Sequence, residues 1–231
     1  MSNSIPFEPP PTSWSFPPAE IADKTGMVSL GADVKPGTLL AAYRMGLFPM
    51  PIGNSDVMGW WSPDPRGVIW PKNITISRSL RRAKRRYEIR INSDFEGVII
   101  GCASQKRPNS WINNKIITAY KELHNLGWAH SIEAWDEEGL AGGLYGISIG
   151  GLFAGESMFH KRTDASKVAL VALAELLGEE ETRLIDIQWH TAHLASLGAS
   201  EISRLQYLQL LPNLLTGEIP NWVQVKQLNT Q

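Results

Sequence analysis

The sequence predicts an α+β fold in which helices flank a mostly antiparallel sheet. Two pairs of strand-like runs are each joined by a short turn that contains glycine, which is typical of antiparallel hairpins. Helix-like segments, several with a capping residue or a glycine stop, accompany these strands. The apolar fraction of 43% and the charged fraction of 19% suit a soluble globular protein.

The first predicted unit comprises residues 1–65. Residues 1–12 form a polar, proline-rich tail that we expect to be flexible, and they do not have the pattern of a secretory signal. Pro36 begins a short helix at 38–45, which ends at Gly46. Turn-rich loops are expected at 48–53 and 62–66, on either side of Trp60 and Trp61.

The second predicted unit comprises residues 66–231. Ser77 is expected to cap a helix and Gly127 to end another. One hairpin turns at 136–139 and a second at Gly150, while an alanine-rich helix separates the second hairpin from a final strand. The strands are predicted at 68–70, 88–91, 131–135, 140–149, 151–155 and 184–188, and the helices at 78–86, 95–103, 115–126, 165–177, 192–197 and 204–211.

Composition excludes several classes of protein and site. The formal net charge of −1 means that any nucleic-acid surface must be local. Cys102 is the single cysteine, so no internal disulfide can form; this favours a reducing compartment, and the expected location is the cytoplasm. No apolar run approaches the ~18 residues of a membrane span. No ligand cluster or phosphate-binding loop indicates a metal or a cofactor.

Residues 78–86 form a basic cluster in which six of nine side chains are lysine or arginine. Residues three or four apart are neighbours on a helix, so these like charges repel by roughly a few tenths of a kcal/mol per pair. A bound phosphate backbone would offset that repulsion, and a solvated helix face is the alternative interpretation. The six are Arg78, Arg81, Arg82, Lys84, Arg85 and Arg86.

Three polar residues follow or end strand-like runs in the second unit. Glu156 is expected at a sheet end or cleft, where it could pair with an incoming cation or bond local backbone amides. Pleating should send Asp186 and Gln188 to one face of their strand and Ile185 and Ile187 to the other. A glutamine can accept a hydrogen bond from an amine, and a neighbouring carboxylate can stabilise developing positive charge. A polar strand edge exposed to water is the alternative.

Many ordered motifs resemble those of the bacterial leucyl/phenylalanyl-tRNA–protein transferases, from about residue 15 to 211. They are Ala42-Tyr-Arg-Met-Gly-Leu-Phe-Pro49, Trp60-Trp-Ser-Pro-Asp-Pro-Arg66, Ser77-Arg-Ser-Leu80, Ser110-Trp-Ile112, His130-Ser-Ile-Glu133, Gly142-Gly-Leu-Tyr-Gly146, Gly155-Glu-Ser-Met-Phe159, Ala165-Ser-Lys167, Leu184-Ile-Asp186 and His193-Leu-Ala-Ser-Leu-Gly-Ala199.

The resemblance implies a small N-terminal domain and a C-terminal domain with an acetyltransferase-like (GNAT-like) fold. It implies transfer of Leu, Phe or, less well, Met from aminoacyl-tRNA to the α-amino group of proteins that begin with Arg or Lys. The product would carry a destabilising N-terminus that the bacterial N-degron (N-end rule) degradation pathway reads. It also implies a monomer without cofactor or metal.

The resemblance assigns roles to residues of this chain. The amine-orienting pair falls on Asp186 and Gln188, the acceptor-binding carboxylate on Glu156, and the tRNA contacts within the basic cluster. Met50 stands where the family often has tryptophan, which bears on the shape of the pocket. The aminoacyl pocket, a set that residue type alone would assign to the core, falls on Trp111, Leu144, Phe153, Leu170, Leu173 and Ile185.

Two other functions compete with aminoacyl transfer. An acetyl-CoA-dependent N-acetyltransferase would need a glycine-containing pyrophosphate loop, and residues 160–166 contain no glycine. A non-catalytic RNA-binding module could be built on the basic cluster alone. Transfer of labelled leucine from tRNA to a peptide that begins with arginine separates the enzyme from both alternatives.

Overall fold

Two β-sheets organise the chain in this computed structural model, which describes residues 5–53, 55, 57–104 and 111–222. The smaller sheet has the order β1-β3-β2 and consists of β1 (Met27–Leu30), β2 (Phe48–Pro51) and β3 (Met58–Trp61). The larger sheet has the order β10-β4-β9-β8-β7-β6-β5. Its strands are β4 (Arg66–Ile69), β5 (Glu88–Ile91), β6 (Ala129–Asp136), β7 (Gly139–Ile149), β8 (Leu152–His160), β9 (Leu184–Gln188) and β10 (Ser200–Ile202).

Seven α-helices lie in these described ranges. Ser77 caps the helix Arg78–Lys84 as predicted, because its Oγ accepts from the Leu80 N–H at 3.1 Å. None of the helices combines the length and the apolar character needed to cross a bilayer. They are α1 (Pro36–Arg44), α2 (Arg78–Lys84), α3 (Phe95–Ala103), α4 (Asn114–Asn125), α5 (Ala165–Leu177), α6 (Ala192–Ala195) and α7 (Arg204–Leu215).

The larger sheet separates two hydrophobic clusters. Alternate residues of β7 belong to different clusters: Leu144 packs with α5, whereas Tyr145 packs with α3 and α4. α5 is apolar almost all round and is buried against β6, β7 and β8. The result is a layer of helices on each face of a mostly antiparallel sheet, as predicted, with β8 and β9 as its parallel pair.

Two β-bulges interrupt the strands that carry the candidate site residues. Across β7 and β8, Tyr145 pairs with Ser157 and Gly146 with Gly155, so Glu156 is the extra residue. Across β4 and β9, Gly67 pairs with Gln188 and Val68 with Asp186, so Ile187 is the extra residue. A bulge reverses the alternation of side chains beyond it, and bulges often re-aim side chains near active sites.

Several predicted elements differ from the observed ones. Residues 48–53 are not only a loop, because β2 begins at Phe48 and pairs with β3. The predicted strand at 151–155 continues to His160 as β8, and the basic helix ends at Lys84 instead of residue 86. The short strands β1, β3 and β10 were not predicted. These strands are three or four residues long, too short to show a clear period of two.

The N-terminal segment is ordered where it is described, so the predicted flexible tail is wrong for residues 5–12. The Phe7 N–H donates to Leu126 O at 2.8 Å, and Trp128 Nε1–H donates to Phe7 O at 2.8 Å. Arg44 holds both carboxylate oxygens of Glu8, at 2.6 and 2.8 Å. Its proline-rich composition did not reveal these long-range contacts, and residues 1–4 lie outside the described residues.

The division into units at residues 65 and 66 stays a prediction. The boundary falls between the two sheets, but one hydrophobic cluster includes Leu39 and Tyr43 from α1 together with Phe95 and Tyr120 from α3 and α4. The two predicted units therefore share part of their core.

Candidate active site

A cavity of about 260 Å³ lies beside β8, β9 and α5. Its walls are mainly apolar, with Glu156, Ser157, Gln188 and Thr191 among the polar residues that line it. Leu170 and Leu173 are three residues apart on α5 and therefore share one helix face. The cavity brings together all six residues assigned to the aminoacyl pocket: Trp111, Leu144, Phe153, Leu170, Leu173 and Ile185.

Glu156 reaches the cavity from within β8, which agrees with the cleft, and not the sheet end, of the two expected positions. As the bulged residue it projects toward α1 and α4, while Phe153 on the same strand packs with the α5 cluster. Phe159 packs with the opposite cluster although it is also an odd-numbered residue, which shows the change of alternation. Ala154 also packs on the α1 and α4 side, so Glu156 keeps the alternation of the strand before it, and the bulge changes the face of the residues after it.

Two tyrosines hold the Glu156 carboxylate. The Tyr43 hydroxyl lies 2.6 Å from Oε1, the Tyr120 hydroxyl lies 2.9 Å from Oε2, and the two hydroxyl oxygens lie 2.5 Å apart. Burial raises the pKa of Glu156 to about 7, although the two tyrosine hydrogen bonds act to lower it. The carboxyl group therefore titrates near neutral pH and keeps part of its surface open to the cavity.

Gln188 ends β9 in an unusual backbone conformation, with φ of 59°. Beyond the bulge at Ile187 it lines the cavity beside Ile185 and Ile187. The residue is 8% exposed, and Nε2 has no hydrogen-bond partner within the described ranges. A buried amide nitrogen without a partner is costly, so this group is available to a bound ligand.

Asp186 does not share a face with Gln188, so the simple pleating prediction was wrong here. It is 1% exposed and is not among the described residues that line the cavity. Arg66 Nε and Nη2 donate to its two oxygens at 2.8 and 2.6 Å, and the Tyr207 hydroxyl donates to Oδ2 at 2.9 Å. Oδ1 also accepts from the Gln188 backbone N–H at 3.0 Å, so Asp186 fixes the strand at Gln188.

Sequence reasoning missed the partners of both carboxylates. Arg66 stands in a matching motif but was not assigned a role, and it stacks over Tyr207 with its guanidinium carbon 4.4 Å from the ring centroid. A buried aspartate needs a cation, and this requirement alone could have prompted a search for Arg66. Tyr43, Tyr120 and Tyr207 give no comparable local signal, because they contact the site across 113, 36 and 21 positions of sequence.

The basic cluster forms helix α2, which packs against α5. Lys84 pairs with Glu175, and Arg86 Nη2 lies 3.9 Å from Asp164 Oδ2. The remaining four are exposed and form no ion pair within the part of the chain that the structure describes: Arg78, Arg81, Arg82 and Arg85.

Potential metal ligands do not gather near the cavity. Within the described ranges, no three histidine, cysteine, aspartate or glutamate side chains are grouped so that they could hold a metal ion. Ser110, part of one matching motif, lies outside the described residues.

Comparisons with known proteins agree on one family. The model described as leucyl/phenylalanyl-tRNA protein transferase matches residues 68–212, and the model of that family's N-terminal domain matches residues 32–64. The leucyl/phenylalanyl-tRNA–protein transferase of Anaeromyxobacter sp. (strain Fw109-5) is 48% identical over 210 residues, 89% of each chain. Those of Shigella dysenteriae serotype 1 (strain Sd197) and Escherichia coli (strain K12 / DH10B) are 45% identical over 217 residues, 91% of this chain and 92% of theirs. The chain therefore belongs to the leucyl/phenylalanyl-tRNA–protein transferase family.

Proposed function

We propose that this protein transfers Leu, Phe or, less efficiently, Met from aminoacyl-tRNA to the α-amino group of proteins that begin with Arg or Lys. The products then enter N-degron degradation. The observation that carries this proposal is the apolar cavity bordered by the Glu156 carboxylate and the Gln188 carboxamide. Such a site can hold one apolar side chain and meet one polar chain end at its edge.

The apolar walls suit the donor amino acid. The aminoacyl ester is already activated, so the reaction needs neither ATP nor a metal. Pockets of this kind discriminate by shape, and each methylene is worth only ~1–3 kcal/mol. This limit accounts for tolerance of several unbranched-at-Cβ apolar side chains.

The acceptor nitrogen must be neutral and correctly aimed. An α-amino group has a pKa of about 7.7–8.0, so much of it is protonated at neutral pH. Gln188 accepts a hydrogen bond from the attacking amine and orients it toward the ester carbonyl. Asp186, already neutralised by Arg66, contributes by holding the Gln188 backbone. Backbone amides stabilise the oxyanion, and the terminal ribose hydroxyl of the tRNA leaves.

Glu156 supplies the preference for a cationic first residue. Its hydrogen-bond partners in the described structure are the hydroxyls of Tyr43 and Tyr120, not a lysine or arginine. A guanidinium or ammonium group from an acceptor would complete the ion pair. We therefore expect Glu156→Ala to weaken acceptor use more than aminoacyl-tRNA binding; equal losses in both would contradict this role.

The exposed arginines of α2 fit a nucleic-acid backbone. Each phosphate contact on single- or double-stranded nucleic acid changes the slope of log K against log salt by about 0.7–0.9. Replacing both Arg82 and Arg85 with alanine should thus flatten the slope for tRNA binding by about 1.5. Lys84→Ala is the matched control, because Glu175 already pairs with that charge. An unchanged slope in the double variant would put the tRNA elsewhere.

Transfer of labelled leucine is the direct test. Leu-tRNA is mixed with a peptide that begins with arginine and with an otherwise identical peptide that begins with alanine. We expect label on the arginine peptide alone, with Asp186→Ala lowering turnover and leaving tRNA affinity nearly unchanged. Absence of transfer, or equal transfer to both peptides, would overturn the proposal.

An acetyltransferase-like arrangement of the larger sheet also forms part of the proposal. Acetyl-CoA itself is not the expected donor. The segment before α5 lacks glycine, and the Asp164 carboxylate sits at the start of that helix, where its Oδ1 lies 3.0 Å from Lys167 Nζ. A pyrophosphate at this position would meet a negative charge. Calorimetric titration with acetyl-CoA should give no binding heat.

A further inference from the structure

The oxygens of Tyr43, Tyr120 and Glu156 form a closed ring of three hydrogen-bond contacts. Tyr43 lies 2.6 Å from Glu156 Oε1, Tyr120 lies 2.9 Å from Oε2, and the two hydroxyls lie 2.5 Å from each other. All three distances lie within the range of O–H···O hydrogen bonds. Each contact needs one proton between its two oxygens.

Counting protons decides which charge state suits this ring. The two tyrosines supply one proton each, so an ionised Glu156 leaves one of the three contacts with lone pairs facing each other. A third proton on Glu156 satisfies the whole ring. Glu156 then donates to Tyr43, Tyr43 donates to Tyr120, and Tyr120 donates to the second carboxyl oxygen.

The surroundings of the ring favour the same charge state. Burial raises the pKa values of Tyr43 and Tyr120 well above normal, as does the Glu156 charge, so the hydroxyls keep their protons. The pKa of Tyr145 on β7 is also raised, by burial and by the Glu156 charge. The charged groups nearby are Asp186 on β9 and Arg66 on β4, which pair with each other.

From this geometry we infer that Tyr43 and Tyr120 determine acceptor specificity by keeping Glu156 protonated until a cationic acceptor arrives. Binding of the guanidinium or ammonium group drives the Glu156 proton into solvent, and N–H donors of the acceptor take its place in the ring. A neutral first residue cannot displace the proton and finds no charge to pair with. This inference rests on the proposed function, because it assumes that Glu156 meets the first residue of the acceptor.

Infrared spectroscopy tests the protonation state without any acceptor. The difference spectrum of wild type minus Glu156→Gln should contain the carbonyl stretch of a protonated carboxylic acid at about pH 6, and the band should vanish by about pH 8.5. Tyr43→Phe should shift its frequency, because the acid loses a hydrogen-bond partner. Tyr145→Phe is the matched control, since its buried hydroxyl has no hydrogen-bond partner among the described residues and lies outside the ring; the band should not change.

A second experiment measures the protons released when an acceptor peptide binds. Calorimetry in buffers of different ionisation enthalpy, at about pH 6, should show about one more proton released per bound arginine-starting peptide in wild type than in Glu156→Gln. The comparison removes the contribution of the peptide's own amine. Adding the peptide should also abolish the infrared band.

Failure of this inference differs from failure of the proposed function. Protein that transfers leucine but lacks the acid band at about pH 6 overturns the shared-proton ring and leaves the function intact. Equal proton release by wild type and Glu156→Gln overturns it too. Absence of leucine transfer overturns the function, whatever the spectrum contains.

Discussion

Glu156 and Asp186 are carboxylates on adjacent strands of one sheet, but their surroundings differ in kind. Asp186 is 1% exposed and is bound by Arg66 through two hydrogen bonds, by Tyr207 and by a backbone N–H. Glu156 lies at a bulge, borders the cavity, and is held by two neutral tyrosines. The first carboxylate is neutralised within the protein, and the second still lacks a cation.

This difference separates two uses of a buried acid. A carboxylate paired with an internal cation contributes a fixed structure, and it has little attraction left for a ligand. A carboxylate held only by hydroxyls has its pKa raised by burial, to about 7 for Glu156, and an incoming cation stabilises its charged form. We infer that Asp186 shapes the site and that Glu156 selects the acceptor.

Removing Arg66 should produce the largest effect. Arg66→Met leaves Asp186 buried without its cation, and breaking one side of a buried pair costs about 3–5 kcal/mol. We expect the free energy of unfolding, measured by urea denaturation, to fall by that amount. The double variant Arg66→Met with Asp186→Asn should recover part of the loss, because no unpaired charge remains. A loss below about 1 kcal/mol in the single variant would show that the pair is not needed for stability.

Glu156→Gln should have the next largest effect, and with the opposite sign. The pKa of Glu156 is raised from 4.5 to about 7 in the folded state, chiefly by burial, so the folded protein keeps a proton that the unfolded chain loses. The contribution of Glu156 to wild-type stability therefore falls as pH rises from 4.5 to about 7 and is level above that range.

The size of that change follows from the same shift. One pKa unit corresponds to about 1.4 kcal/mol, so the upper limit is about 3.5 kcal/mol. The Glu156→Gln side chain does not titrate. Relative to wild type, the free energy of unfolding of this variant should therefore rise with pH, by up to this amount at about pH 8, in urea denaturation measured across pH. A stability difference that does not depend on pH would contradict the raised pKa.

The arrangement of elements was predictable where local signals agree. Glu88–Ile91, Phe95–Ala103, Ala165–Leu177 and Leu184–Gln188 have the predicted bounds, because capping residues, glycine stops and periodic apolar residues mark them. The pairing of β10 with β4 joins residues more than 130 positions apart and has no local signal. The contacts that order the N-terminal segment likewise depend on distant partners.

For the candidate site, the family resemblance indicated residues that lie together but not the directions of their side chains. The six residues assigned to the aminoacyl pocket line one cavity, and their role in holding an amino acid stays a prediction. Alternation along a strand placed Asp186 and Gln188 together, and the bulge at Ile187 separates them. A bulge is defined by the pairing of two strands, so neither strand reveals it alone. The sequence also gives no sign that Tyr43 and Tyr120 approach Glu156 from two helices.

Removing the hydroxyl of Tyr207, which donates to Asp186, should have a smaller effect than either change above. Tyr207→Phe removes a donor to the buried Asp186, which pairs with Arg66, and hydrogen bonds to charged groups contribute about 1.5–3 kcal/mol. We expect a loss of about 2 kcal/mol in the free energy of unfolding. Tyr145→Phe is the control, because its buried hydroxyl has no hydrogen-bond partner in the described ranges, and it should cost nothing. Equal losses in the two variants would show that the hydrogen bond from Tyr207 to Asp186 contributes no stability of its own.

The smallest expected effect concerns the backbone conformation of Gln188, whose N–H donates to Asp186. Gln188 has φ of 59°, a conformation that glycine adopts without penalty and alanine does not. Gln188→Gly should therefore be more stable than Gln188→Ala by about 1 kcal/mol in urea denaturation, although both lose the carboxamide and should lower leucine transfer about 100-fold. If alanine were equally stable, the left-handed backbone would carry no strain. Asp186, which accepts the Gln188 N–H, would then have no strained conformation to hold, and its position beside the cavity would need another explanation.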